Sequence, residues 1–164
     1  MGTLKVIDNF LEKDLINFLC LHFKNVPHFY GESSNSKDEN SIKFYYFNCN
    51  FQEPLYNFLC LKISKLFNYN LNIFRMHINV QHCFMDGDFH ADAGDNTVLL
   101  MVTPTLLDNS GCFEIMENNN NKKIINFVQN RLIIFPATWK HRGCAPAKKN
   151  VLRITLVFKT KKHE

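Results

Sequence analysis

The chain has 164 residues, of which 46% are hydrophobic and 21% are charged, and its net charge is +4 at neutral pH. This length fits one domain, so we expect residues 1–164 to form a single unit. The composition is that of a globular protein, and no apolar run approaches the roughly 20 residues of a membrane helix. The small positive charge argues against a nucleic-acid partner.

The cysteines and the first residues bear on the cellular compartment. The six cysteines are scattered and form no CxxC pair, so they do not indicate a disulfide framework. The first residues lack the basic start and apolar core of a signal peptide. We therefore expect reduced thiols, a cytoplasmic location and no membrane association.

A short strand over residues 4–7 is predicted to lead into a first helix. Asp8 or Asn9 is the expected N-cap of that helix, and Glu12 stands where the acid of a capping box would be. The chain therefore begins with a strand that enters a helix.

The next segment, residues 31–41, is polar and unpatterned, which predicts a mobile loop. A strand over 42–47 and a helix over 54–67 follow. From residue 72 onward, short β-type runs alternate with turn residues. Two helices followed by such strands favour an α+β fold whose body is an antiparallel sandwich or jelly roll. The predicted strands cover residues 73–82, 97–104, 112–117, 123–128, 131–135 and 151–159.

His90 and Asp92 form the sharpest local motif. Residues two apart on an extended strand point to the same side, so both can bind one ion. An imidazole and a carboxylate are part of the 2-His-1-carboxylate set that holds non-haem iron. An exposed loop would also carry these residue types, so the triplet alone leaves both interpretations open.

His141 is the candidate for the second imidazole, because it follows an apolar strand where a sheet passes into a loop. The alternative is an exposed loop histidine. A zinc site with Cys83 or Cys144 is a further alternative, although no ligand pair has zinc-site spacing. The remaining histidines have no such setting and are expected to be structural or on the surface: His22, His28, His77, His82 and His163.

Arg153 and Thr155 share one face of the last predicted strand. That face is either exposed to solvent, with Lys159 continuing it, or directed into the mouth of a barrel. In the second case the planar guanidinium would pair with a carboxylate and the hydroxyl would assist. The order of an HxD triplet, a distant histidine and then this arginine favours the second interpretation.

This order resembles the iron(II)/2-oxoglutarate-dependent oxygenase superfamily, in its prolyl-4-hydroxylase-like branch. The resemblance implies a double-stranded β-helix, or jelly roll, with the N-terminal helices packed on one sheet. It also implies that His90, Asp92 and His141 bind iron(II). The segments that carry it are residues 6–11, 89–92, 97–101, 110–115, 135–136 with His141, and 153–155.

The resemblance further assigns the co-substrate site. It implies that Arg153 binds the distal carboxylate of 2-oxoglutarate, with Thr155 as a helper. Asn79 and Gln81 fall on the strand before the HxD triplet, where relatives direct a polar or aromatic residue at the co-substrate. Gln81 stands where many relatives carry tyrosine.

The implied activity is hydroxylation of a substrate C–H bond with dioxygen and 2-oxoglutarate, on a peptidyl, prolyl-like side chain. Residues 31–41 are long enough to act as a lid. Two alternatives stay open: an oxygenase that acts on a small molecule or nucleobase, and a non-catalytic cupin-like binding module. The partner is therefore expected to be an unknown peptide or small molecule.

Overall fold

The computed structural model describes residues 3–34, 39–106, 108–117 and 121–163. The helices within these ranges lack the combination of length and apolar character that a membrane-spanning helix requires. The same ranges contain two helices and ten strands, in the order β1 (Lys5–Ile7), α1 (Lys13–Asn25), β2 (Phe29–Ser33), β3 (Lys43–Asn48), α2 (Pro54–Ser64), β4 (Leu71–Gln81), β5 (Asn96–Met101), β6 (Phe113–Met116), β7 (Lys122–Ile125), β8 (Leu132–Pro136), β9 (His141–Gly143) and β10 (Arg153–Lys162).

The described strands form two antiparallel sheets. Seven strands make the larger sheet, in the order β1-β8-β5-β10-β4-β3-β2, and three make the smaller one, in the order β7-β6-β9. In the larger sheet β10 pairs with β4, so Arg153 lies opposite Gln81 and Thr155 lies opposite Asn79. The four predicted co-substrate residues are therefore direct cross-strand neighbours.

The two faces of the larger sheet have different surroundings. Ile154 and Leu156 of β10 belong to one buried cluster with Leu19 of α1 and Leu59 of α2. Val157 belongs to a second cluster, which includes residues of the smaller sheet such as Phe113. Because side chains alternate along a strand, the face of β10 that carries Arg153 and Thr155 is directed toward the smaller sheet and away from the helices.

The first helix begins later than predicted. It starts at Lys13, and neither Asp8 nor Asn9 caps it. The Asp8 carboxylate instead accepts hydrogen bonds of 2.6 and 2.9 Å from Arg131, and Asn9 has a left-handed φ of 53°. The side chain of Asn130 binds the backbone of the following turn. These long-range contacts hold the segment outside the helix.

Glu12 differs from its predicted role as well. It occupies the N-cap position itself, without a side-chain capping hydrogen bond, and its carboxylate binds Lys62 of α2 at 2.7 Å. A contact between the two helices has therefore replaced the expected capping box.

The predicted loop over residues 31–41 is wrong for residues 31–33, which lie in β2; Glu32 and Ser33 pair with β3, and Gly31 lies at a register shift. Backbone pairing at a sheet edge does not require an apolar side-chain pattern, so the polar sequence of these residues did not indicate a strand. Glu32 also forms an ion pair with Arg75 of β4 at 3.3 Å. Residues 35–38, the middle of the predicted lid, lie outside the described ranges.

Candidate metal centre and adjoining pocket

A backbone bridge brings His90 and His141 together. The amide of His90 donates to the carbonyl oxygen of His141 at 3.1 Å, and the amide of His141 donates in return at 2.9 Å. As directly opposed residues of an antiparallel pair, they place their side chains next to each other. The centroids of the two imidazole rings are 4.4 Å apart.

Asp92 completes the cluster. Its Oδ1 lies 3.6 Å from Nε2 of His90, and its Oδ2 lies 3.5 Å from Nε2 of His141. One ligand atom from each of the three residues lies within 4.8 Å of the others. The structure thus brings together the three side chains that were selected from the sequence.

Hydrogen bonds fix the tautomer of both imidazoles. Nδ1 of His90 donates to the carbonyl oxygen of Asp88 at 2.9 Å, and Nδ1 of His141 donates to that of Trp139 at 2.8 Å. A carbonyl only accepts, so each ring carries a proton on Nδ1, and in its neutral form it presents an Nε2 lone pair. Burial, reinforced by the neighbouring His141, lowers the pKa of His90 and favours this neutral form.

Asp92 is held as a carboxylate. Thr97 Oγ1 donates to its Oδ2 at 2.7 Å and Lys159 Nζ donates to its Oδ1 at 2.9 Å. Burial alone would raise the pKa of Asp92, but the neighbouring His141 and the ammonium group of Lys159 lower it well below its usual value. The Nε2 atoms of both imidazoles and one carboxylate therefore face one point.

The triad opens onto a cavity of about 240 Å³ between the two sheets, and Arg153 lines the same cavity. The Arg153 side chain is only 1% exposed. Its Nε donates to the carbonyl oxygen of Gly111 at 2.8 Å, and its Nη1 donates to Gln81 Oε1 at 2.5 Å. Burial lowers the pKa of Arg153 to about 10, so it remains charged at neutral pH.

Arg153 and its neighbours have unused hydrogen-bonding capacity. Arg153 Nη2, Thr155 Oγ1 and Asn79 Oδ1 are buried and have no hydrogen-bond partner. Over the described ranges no carboxylate forms an ion pair with Arg153. A buried polar group without a partner costs about 1–3 kcal/mol, so such a cluster in a cavity marks a place where a ligand binds. An anion that accepts from Arg153 and Thr155 fits this place.

Gln81 has hydrogen-bond partners within the protein on both atoms of its amide. Its Nε2 donates to the carbonyl oxygens of Met85 and Gly143, at 2.6 and 3.1 Å. Its Oε1 accepts the hydrogen bond from Arg153. Both amide hydrogens are thus used within the protein, and the amide oxygen supports the arginine. A direct contact of Gln81 with the co-substrate stays a prediction.

Gly143 packs closely against the guanidinium. A Cβ atom at this position would lie 2.9 Å from Nη1 and 3.1 Å from Cζ of Arg153. No other residue type fits here without displacing the arginine. Gly143, which follows His141 and Arg142 in β9, therefore belongs to the pocket wall as well.

Sequence reasoning missed several residues of the cavity wall, among them His77 and Lys159. The sequence predicts that His77 is structural or on the surface, but it lines the cavity with Nδ1 unpartnered. Burial, together with the charges of Arg75 and Lys159, lowers its pKa to about 3. Lys159, which was expected to continue a solvent face if that face was exposed, reaches Asp92. The period-two run His77, Asn79, Gln81 along β4 was the available signal for the histidine.

The two facing antiparallel sheets, with the triad at their open edge, define a double-stranded β-helix, or jelly-roll, protein. Solved structures share this fold. A Pseudomonas putida prolyl-4-hydroxylase is 14% identical, with 95% of this chain and 91% of that chain covered, at a TM-score of 0.75. A Trichoplax adhaerens prolyl hydroxylase, in complex with a peptide fragment of the hypoxia inducible factor oxygen degradation domain, is 15% identical. The match covers 96% of this chain and 82% of that chain, at a TM-score of 0.74.

A third similar structure is the non-heme alpha ketoglutarate dependent epimerase SnoN from nogalamycin biosynthesis, which is 9% identical over 94% of this chain and 76% of that chain, at a TM-score of 0.74. No protein-family model and no curated protein matches the sequence. The structural neighbours are of the class that the sequence resembles, and at these identities they establish the fold.

Proposed function

We propose that this protein is an iron(II)- and 2-oxoglutarate-dependent dioxygenase that hydroxylates a substrate C–H bond. One observation carries the proposal: three converging metal donors and a buried, unpaired arginine line the same cavity. Converging polar groups in one cavity are the usual mark of an active site. A metal centre alone is compatible with many classes of reaction. The buried arginine favours the classes that use an anionic co-substrate.

His90, Asp92 and His141 would hold the iron. Their donor set is that of the 2-His-1-carboxylate site, which leaves coordination positions open. When bound, iron(II) and 2-oxoglutarate supply the activation of dioxygen. The chain contributes two imidazoles with fixed tautomers and a carboxylate kept ionised by Thr97 and Lys159. Zinc also accepts such ligands, but the adjoining anion pocket favours the iron enzyme.

Arg153 and Thr155 would bind the distal carboxylate of 2-oxoglutarate. Arg153 Nη2 and Thr155 Oγ1 are donors with no partner, and a carboxylate supplies acceptors for both. The Asn79 amide can turn its NH₂ group toward the same ligand. Gln81 and Gly143 hold the guanidinium from the sides.

The proposed substrate is a peptidyl, prolyl-like side chain. Two of the similar structures are prolyl hydroxylases, and one of them is in complex with a peptide. A small-molecule substrate is the second candidate, favoured by the comparable likeness to SnoN, an epimerase from nogalamycin biosynthesis. A non-catalytic module is less well supported, because a protein that only binds its ligand does not need three converging metal donors. A cytoplasmic location is supported by the six free cysteines.

The test is an anaerobic titration of the purified protein with iron(II) and 2-oxoglutarate. We expect a visible metal-to-ligand charge-transfer band that requires both components and saturates at one equivalent of iron. The matched control is His141→Ala, which should give no band. A wild-type protein that develops no band, or a band that persists in the control, would contradict the proposal. Turnover with candidate peptides, read as a mass gain of one oxygen atom, then distinguishes the two substrate classes.

A further inference from the structure

Cys112 and Cys144 lie opposite each other at the edge of the smaller sheet. The register of β6 and β9 pairs Phe113 with Gly143, and one step further along it places these two cysteines opposite each other. The amide of Cys144 donates to the carbonyl oxygen of Cys112 at 2.9 Å, which continues the pairing. Directly opposed residues have Cα atoms about 4.5–5.5 Å apart, within the range that a disulfide spans.

The two thiols also interact with each other. Both side chains are partly exposed, and a hydrogen bond from Cys144 lowers the pKa of Cys112 below its usual value. Burial instead raises the pKa of Cys49 to about 12 and that of Cys60 to about 11. Because the thiolate is the reactive form, Cys112 is better placed than Cys49 or Cys60 to react with an oxidant.

Glu114 lies close enough to complete a possible metal cluster with the two thiols. Its carboxylate is already neutralised, however, by Arg142 at 2.7 Å and Lys122 at 2.7 Å. Two cations on the carboxylate oppose the binding of a third positive charge at that point. The cluster is therefore better suited to thiol chemistry than to a resident metal ion.

We propose that Cys112 and Cys144 are a reversible oxidation site, which a peroxide converts to an intramolecular disulfide. The Cys112 thiolate attacks one peroxide oxygen and cleaves the O–O bond, which gives a sulfenic acid and, for hydrogen peroxide, one water after protonation. The Cys144 sulfur then attacks the sulfenic sulfur, loses its proton and releases a second water. In total the two thiols lose two electrons, and the peroxide gains these two electrons.

The site adjoins the arginine of the pocket. Cys112 follows Gly111, whose carbonyl oxygen accepts from Arg153 Nε, and Cys144 follows Gly143, which packs against the same guanidinium. A new bond between the two strand ends is expected to shift these supports. If the proposed function holds, on which this consequence rests, the disulfide form should bind 2-oxoglutarate about 3–10-fold more weakly, the scale of one displaced hydrogen bond.

The experiment treats metal-free, full-length protein with hydrogen peroxide and then with dithiothreitol. We expect two of the six thiols to be lost, a Cys112–Cys144 crosslink in peptide mass spectra, and full recovery after reduction. Cys112→Ser and Cys144→Ser should each abolish the crosslink, whereas Cys83→Ser, a partly exposed cysteine outside the cluster, should retain it.

Several results would overturn the site: both thiols remaining free, irreversible overoxidation without a crosslink, or stoichiometric zinc that co-purifies and is lost in Cys112→Ser. Mapping the crosslink does not depend on the co-substrate, so it separates this proposal from the proposed function. A crosslink that forms without any change in 2-oxoglutarate affinity would overturn only the link to the pocket.

Discussion

The metal centre and the arginine region line the same cavity, but they differ in how many of their polar side-chain atoms have hydrogen-bond partners within the protein. In the metal centre both imidazoles donate to backbone carbonyls, and both oxygens of Asp92 accept hydrogen bonds. In the arginine region the buried atoms Arg153 Nη2 and Thr155 Oγ1 have no partner. The side chains of the metal centre are therefore oriented before an ion binds, whereas the arginine region lacks hydrogen-bond partners until a ligand binds.

This difference predicts how the two regions should respond to substitutions. Donors that are already oriented lose little conformational entropy when an ion binds, so each metal ligand should matter strongly for metal affinity. The arginine region stores an unfavourable buried charge, which an anionic ligand would relieve. Substitutions in the two regions should therefore separate metal affinity from co-substrate affinity.

The largest effect is expected for Asp92→Ala, which removes the anionic ligand. Affinity for manganese(II), used as a redox-stable substitute for iron(II), should fall at least about 100-fold, since one lost charge-assisted contact is worth about 3 kcal/mol. Isothermal titration calorimetry measures this. Asp95→Ala is the matched control, because Asp95 is exposed and lies three residues away. Equal losses in both variants would contradict the assignment of Asp92.

Arg153→Leu should have the next largest effect, on the other region. We expect 2-oxoglutarate affinity to fall by roughly 30–100-fold, from the loss of a charge-assisted pair worth about 2–3 kcal/mol, while manganese affinity stays near wild type. Arg131→Leu is the control, since Arg131 binds Asp8 outside the cavity. Loss of metal affinity in Arg153→Leu would show that the two regions are not separable.

His77→Asn should change how stability depends on pH. In the folded chain the pKa of His77 is lowered to about 3 from 6.5, so between these values the unfolded state binds more protons. Stability should therefore fall as the pH drops below 6.5, by up to about 1.4 kcal/mol per pH unit from this residue. Urea unfolding of metal-free protein at pH 7 and pH 5 should show a smaller difference in the variant. An identical difference would mean that His77 is not buried as a neutral ring.

Gly143→Ala should give the smallest effect. The added Cβ would push against the guanidinium of Arg153, so we expect 2-oxoglutarate to bind roughly 5-fold more weakly, the scale of one misaligned hydrogen bond. Manganese affinity serves as the internal control and should not change. A variant with unchanged 2-oxoglutarate affinity would show that the arginine has room to move.

The sequence predicted the parts of this arrangement that depend on local pattern and chain order. His90, Asp92 and His141 were selected because of strand spacing and an apolar strand before the last of them, and the structure brings them together. Alternation on β10 left two orientations for Arg153, and the packing of the helices on the opposite face decides between them.

What the sequence could not predict depends on long-range pairing. The second half of β2 has a polar sequence, and the strand exists because β3 pairs with it. His77 shares a period-two face of β4 with Asn79 and Gln81, but only the pairing of β4 with β10 places that face in the cavity wall. Cys112 and Cys144 show no motif, since only the pairing of β6 with β9 brings them together. In each case the information lies in the partner strand.

The most direct test of the central claim is an anaerobic crystal structure of the protein with manganese(II) and 2-oxoglutarate. We expect one metal ion bound by Nε2 of His90, Nε2 of His141 and the Asp92 carboxylate, with the distal carboxylate of the co-substrate on Arg153 Nη2 and Thr155 Oγ1. A metal ion held elsewhere, or a co-substrate that leaves the arginine unpaired, would contradict the account.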